Sequence, residues 1–142
     1  MPAFTGRPPD LRARGPLLQV NITVTSAAED ALTAASQPVP PPVQVPALID
    51  TGATGSAIAP GIAQQLGLQP VGVMNVSTPS SSNVPMPVYA IRLLLPNTIM
   101  FETTAVEAQL QGQGIGALIG RDVLSQAVLV YIGYANEFTI AM

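Results

Sequence analysis

The sequence predicts an all-β domain, a closed and mainly antiparallel barrel or sandwich carrying one or two short helices. Three observations predict it. Hydrophobic residues make up 48% of the 142-residue chain and charged residues only 9%, a composition that favours a packed core over disorder. Fifteen prolines and 12 glycines break the chain into short segments. Within several of those segments apolar and polar residues alternate, the period-two signature of half-buried strands.

Residues 1–15, rich in Pro, Gly and Arg, read as a flexible N-terminal arm ahead of a domain over residues 16–142. Leu18, Val20, Ile22 and Val24 then alternate with Gln19, Asn21, Thr23 and Thr25, which predicts a strand. Residues 26–42 are small and polar and end in Pro38-Val39-Pro40-Pro41-Pro42; they read as a proline-rich loop insertion. Val43 to Ile49 is a second strand. It runs into Asp50-Thr51-Gly52-Ala53-Thr54-Gly55, a tight glycine turn. Ser56 to Ala59 resumes the strand. Pro60 opens a short helix over Gly61 to Leu66, and Gly67 suits its C-terminal cap.

Val71 to Thr78 and Val84 to Leu95 read as two strands joined through Pro79-Ser80-Ser81-Ser82-Asn83. Thr98 to Ala108 is another strand, followed by a loop at Gln111 to Gly114. Ile115 to Ile119 is a buried strand leading to Gly120-Arg121-Asp122 and a short helix through Gln126. Ala127 to Tyr131 and Glu137 to Ala141 close the chain as a hairpin. The sum is roughly eight strands and two short helices. Ala47-Leu48-Ile49-Asp50 and Ala117-Leu118-Ile119-Gly120 are near copies, which suggests two similar halves about a pseudo-twofold.

Composition also removes chemistries. Cysteine, histidine and lysine are absent, so disulfides, thiol nucleophiles, Cys/His zinc sites and imidazole-based catalysis are excluded. No metal or cofactor is expected. The net charge of −3 gives no reason to expect nucleic acid as a partner. No stretch reaches the roughly 18 apolar residues of a membrane span. The opening Met1 to Gly6 has no apolar leader stretch, so a cytoplasmic location is the expectation. Gly52-Ala53-Thr54-Gly55-Ser56 does not make a phosphate loop without its lysine. Acid–base work is left mainly to eight carboxylates.

Asp50-Thr51-Gly52-Ala53 at the end of an apolar strand, a hairpin after it, then Ala117-Leu118-Ile119-Gly120-Arg121-Asp122-Val123-Leu124 and a final strand together resemble the retropepsin-like (retroviral-type) aspartic protease family, in its single-domain homodimeric form. The resemblance covers residues 17–142. It implies an acid-protease barrel and an aspartic endopeptidase, a hydrolase of extended peptide or protein substrates between apolar residues. In that family a water between two aspartates attacks the carbonyl, and two carboxylates about 3 Å apart share one proton. Acidic pH is then expected to suit the reaction.

On this resemblance Asp50 is the catalytic carboxylate. Thr51, Gly52 and Ala53 support the loop around it. The hairpin over residues 74–92 is a substrate-covering flap, with Ser80, Ser81, Ser82, Asn83 and Val84 against the peptide. Gly120, Arg121 and Asp122 are structural near the site. Gly120 stands where the echoed half would carry a second aspartate, so that aspartate must come from another copy, making a homodimer. The runner-up reading is a non-catalytic dimeric peptide-binding or interaction domain of the same fold. Two departures from viral relatives stand out. The flap tip has no glycine, and Thr54 replaces an aspartate that often pairs with the arginine of the Gly-Arg-Asp helix. Arg121 therefore needs another partner: a backbone carbonyl, Asp122 or Glu107.

Overall fold

The alternation at Leu18 to Val24 becomes strand β2 (Leu17–Thr23), with Leu18, Val20 and Ile22 buried and Gln19 exposed. In the computed structural model, which describes residues 1–77, 82–110 and 114–142, β2 is one of ten strands. Before it lies β1 (Ala3–Gly6). After it come β3 (Val43–Ile49), β4 (Ser56–Ile58), β5 (Gly72–Val76), β6 (Val84–Leu94), β7 (Met100–Glu107), β8 (Ala117–Ile119), β9 (Val128–Ile132) and β10 (Glu137–Ala141). Four short helices interrupt them: α1 (Leu11–Arg14), α2 (Ser26–Ala34), α3 (Ile62–Gln65) and α4 (Arg121–Leu124).

Six strands close into a barrel in the order β2-β3-β8-β4-β7-β6, with β5 attached outside β6. The ring shuts where Asn21, Ile22 and Thr23 pair with Leu94, Leu93 and Arg92. Closure gives each of those six strands a paired neighbour on both sides. Pairing is antiparallel except at β3–β8 and β4–β7. The core holds Val20, Ile22, Ile49, Ile58, Ile91, Leu93, Phe101 and Ile119, each side chain worth about 1.5–3 kcal/mol on burial.

The two near-copy segments lie side by side. Ala47, Leu48 and Ile49 pair in parallel and in register with Ala117, Leu118 and Ile119. Sequence-distant segments thus meet at one point of the barrel, and both chains leave the ladder together at Asp50 and Gly120.

Two expectations are corrected. The first fifteen residues are not a loose arm. Ala3 to Gly6 pairs antiparallel with β10, which pairs in turn with β9, making a three-stranded sheet. Phe4 meets Phe138 edge-on at 6.2 Å between ring centroids, and Leu11 is fully buried. The arginines of this stretch are exposed around these anchors. Residues 26–42 are not wholly loop either. Thr25 accepts the Ala28 N–H at 3.2 Å and caps α2, which favours helix in an alanine-rich run. Glu102 accepts the Ser26 N–H at 2.7 Å, and Arg92 pairs with Glu29 at 2.6 Å, fixing α2 to β6 and β7. Only the proline-rich residues after α2 stay irregular.

The strands β5 and β6 form the expected hairpin, closing at Val76 opposite Val84. Pro85 and Pro87 lie beyond the last β6–β7 pair, where β6 bonds to β5 alone and a missing N–H is tolerated. Asn83 adopts φ 56°, a turn conformation that asparagine accepts more readily than most residues. Ser80 and Ser81 lie outside the described residues.

Candidate active site

Strand β3 runs through the barrel between β2 and β8 and ends in Asp50. The chain turns there for a local reason. The Asp50 N–H still donates to the Ile119 carbonyl at 2.8 Å, but its side chain then takes over the hydrogen bonding. Asp50 Oδ1 accepts the Gly52 N–H at 2.8 Å, and the Asp50 carbonyl accepts the Ala53 N–H at 3.2 Å. This aspartate-anchored turn fixes the carboxylate relative to its own strand. A side chain at Gly52 would put Cβ 3.1 Å from Asp50 Oδ1, so glycine keeps that oxygen clear.

The helix α4 braces the turn from the other copy of the motif. Its first N–H groups have no partners within the helix. The Arg121 N–H donates to the Ala53 carbonyl at 2.9 Å and the Asp122 N–H to the Thr54 carbonyl at 3.2 Å. The Arg121 side chain reaches the same loop: Nη1 donates to the Thr51 carbonyl at 2.7 Å and Nη2 to Thr54 Oγ1 at 3.2 Å. Of the partners considered for Arg121, the backbone carbonyl is the one it takes. Thr54 makes no ion pair but accepts a hydrogen bond from the guanidinium in its place.

Gly120 sits where the two motifs touch. Its N–H donates to Ser56 Oγ at 3.0 Å. A Cβ there would stand 2.5 Å from the Gly55 carbonyl carbon and 3.1 Å from the Ala53 oxygen. Backbone cannot yield as a flexible side chain can, so no side chain, and no second aspartate, fits at this position.

Asp122 is held through both of its carboxylate oxygens. Ser56 Oγ donates to its Oδ1 at 2.8 Å and Thr103 Oγ1 to its Oδ2 at 2.7 Å. A chain of bonds thus runs from the Gly120 N–H through Ser56 to Asp122 and on to β7. Sequence reasoning missed Ser56 and Thr103. The available signal was Ser56 itself, a hydroxyl inside an apolar strand that is 3% exposed and so needs a buried partner.

Among the sequence-derived site residues, Asp50, Thr51, Gly52, Ala53, Gly120, Arg121 and Asp122 come together through these contacts. Ser82, Asn83 and Val84 lie on the hairpin, and the contacts above do not join them to the Asp50 loop. Ser80 and Ser81 fall outside the described residues. An apolar cleft of about 540 Å3 lies along α2, between Ala28, Ala31, Leu32, Leu66 and Leu68, but no ionisable side chain lines it. Among the described residues no cluster of three or more His, Cys, Asp or Glu could hold a metal ion, and no helix is long and apolar enough to cross a membrane.

Residues 42–123, more than half of the chain and running from β3 into α4, match the family model described as aspartyl protease. The chain belongs to the aspartyl protease family. Its fold is that of the retropepsin-like aspartic proteases. A crystal structure of such a protease from Rickettsia conorii superposes with a TM-score of 0.57, at 13% identity, over 97% of this chain and 89% of the other. No curated protein matches in sequence. Asp50, its turn and the first residues of the bracing helix lie inside the matched span.

Proposed function

We propose that this aspartyl protease family member is an aspartic endopeptidase that acts as a homodimer, with one Asp50 from each copy. The observation that carries the reading is the carboxylate held at the end of β3 by the Gly52 N–H, beside a position 120 that no side chain can enter. One chain therefore supplies one carboxylate, and the chemistry needs two. A water held between the pair loses a proton to the ionised carboxylate as it attacks the peptide carbonyl. The protonated partner bonds the carbonyl oxygen. The family identity and the retropepsin-like fold support the reaction class.

A second copy has a place to sit. Among the described strands β9 pairs only with β10, leaving its other edge open. On that strand Val128 is 52% exposed and Tyr131 51%. An open apolar edge invites pairing, and a strand paired antiparallel with its own copy is self-complementary about a twofold axis. Three residues separate β9 from α4, the helix that braces the Asp50 loop. The β5–β6 hairpin serves as the flap over an extended peptide that adds as a strand. Thr51, Gly52 and Ala53 shape the floor, with Gly52 admitting the peptide backbone.

The experiment is cleavage of a denatured apolar protein by wild type and by Asp50→Asn. The variant retains the dimer and loses turnover. Titrating wild type with excess Asp50→Asn chain, after exchange of subunits, also suppresses activity, because mixed dimers hold a single aspartate. Full turnover in the variant would sink the proposal.

A further inference from the structure

Resting on the reading above, the inference concerns what the substrate must carry. A pocket of about 340 Å3 opens beside the Asp50 loop, at the lower end of the range of roughly 300–1,000 Å3 typical of ligand pockets. Its walls include Met74 of β5, Val88 of β6 and Val106 of β7, so the hairpin forms part of it. Its polar lining includes the Ser56 and Thr103 hydroxyls and the Asp122 carboxylate. Both hydroxyls donate to Asp122, one to each oxygen, and fix the carboxylate in place. Each oxygen keeps further acceptor capacity.

Among the described residues Asp122 has no counter-ion. Arg7 pairs with Glu137 and Arg92 with Glu29, while Arg121 reaches to Thr51 and Thr54. Among the described residues no cation lies within ion-pair distance of Asp122, and the seven residues outside that set are all uncharged. An apolar side chain filling this pocket would take an unpaired carboxylate out of water, which is costly. A side chain with an aliphatic stem and a cationic head would lay the stem along Met74, Val88 and Val106 and bring its charge to Asp122.

We infer that Asp122 is a specificity-determining residue and that this pocket selects a lysine or arginine side chain of the peptide substrate. The test is a peptide library carrying lysine or norleucine, a chargeless chain of similar length, at each position in turn. At one position wild type prefers lysine by about tenfold or more in kcat/KM, a preference that weakens in high salt. Asp122→Asn brings the ratio close to one. Thr104→Lys, which sets a cation at the exposed rim without touching the Ser56–Asp122–Thr103 bonds, does the same and guards against misfolding of the first variant. Cleavage with no lysine preference at any position, or a preference that survives both variants, overturns the inference and leaves the protease reading intact. If no peptide is cleaved, the protease reading fails. Anisotropy titration of the same labelled peptides then decides: lysine-selective binding lost in Thr104→Lys supports the pocket, and equal or absent binding overturns it.

Discussion

Asp50 donates its N–H to the carbonyl of Ile119 at 2.8 Å, so the strand that carries the carboxylate is tied to the strand that leads into the bracing helix. The two segments are near copies in sequence and neighbours in register, yet they do different work. One ends in a carboxylate. The other ends in Gly120, whose missing side chain lets the Asp50 loop pack against it.

That packing makes Gly120 intolerant. Gly120→Ala places a methyl group against the Gly55 carbonyl, and overpacking of this kind costs about 1–3 kcal/mol. Thermal unfolding of the variant is expected to show a Tm lower by about 3–10 °C. Gly120→Asp does not create a single-chain dyad; it unfolds or stays inactive. An active, monomeric Gly120→Asp would refute the steric account.

The strands were legible in the sequence because period-two alternation, as at Leu18 to Val24, reports burial directly; their closure into a barrel rested on the family resemblance. The Asp50 turn was legible because its glycines and aspartate act within a few residues. What escaped was non-local or masked. The four residues of β1 have too little periodicity to read, and their partner β10 lies at the far end of the chain. Helix α2 was hidden by the prolines that follow it, although Thr25 and the alanine run were its local signals. The Ser56–Asp122–Thr103 bonds join β4, α4 and β7, a junction that no spacing along the chain encodes.

Because β1 and Leu11 belong to the fold, removing them is costly. Leu11 is fully buried, and truncating such a leucine costs about 2–5 kcal/mol. Leu11→Ala is expected to lower the midpoint of urea unfolding without a change in slope. Deletion of residues 1–15, which removes β1 as well, is expected to lower it further. A truncated chain as stable as the full one would show that the N-terminal segment is dispensable.

Arg121 holds the Asp50 loop by two donors with a planar geometry that an ammonium lacks. Arg121→Lys retains the charge but loses the pairing of Thr51 and Thr54. The site is exposed, so stability changes little, within about 1 kcal/mol. Activity is expected to fall about tenfold, the effect of roughly 1.4 kcal/mol in the transition state. The check is kcat/KM beside Tm; a large Tm drop with unchanged activity would assign Arg121 to stability instead.

Glu102 gives a pH dependence. The Ser26 backbone N–H bonded to its carboxylate holds its titration below the ordinary value of 4.5; the Ser26 side chain and the Arg92 charge add to this, and slight burial opposes it. A carboxyl group depressed in the folded state stabilises fully above its unfolded value, and that stability is lost as pH falls through the folded one. Glu102 is exposed, so the effect is small. The Tm difference between wild type and Glu102→Gln is expected to be positive at pH 7 and to vanish in acid. A difference independent of pH would remove the carboxylate from the account.

The open edge of β9 carries the last prediction. Val130 lies mid-strand, is 45% exposed and pairs with Thr139 on the covered side, so its replacement leaves the β9–β10 ladder in place. Lysine on a strand edge opposes pairing with another copy, since two like charges would meet near the twofold axis. Val130→Lys is therefore expected to sediment as a monomer at concentrations where wild type is a dimer. It should keep wild-type Tm measured on the monomer and lose peptide cleavage, because each monomer holds only one Asp50. Activity should return in part at high protein concentration and high salt, where mass action and screening favour association. A variant that remains dimeric and active would place the subunit contact on another surface, while a monomer that still cleaves would remove the need for a second Asp50.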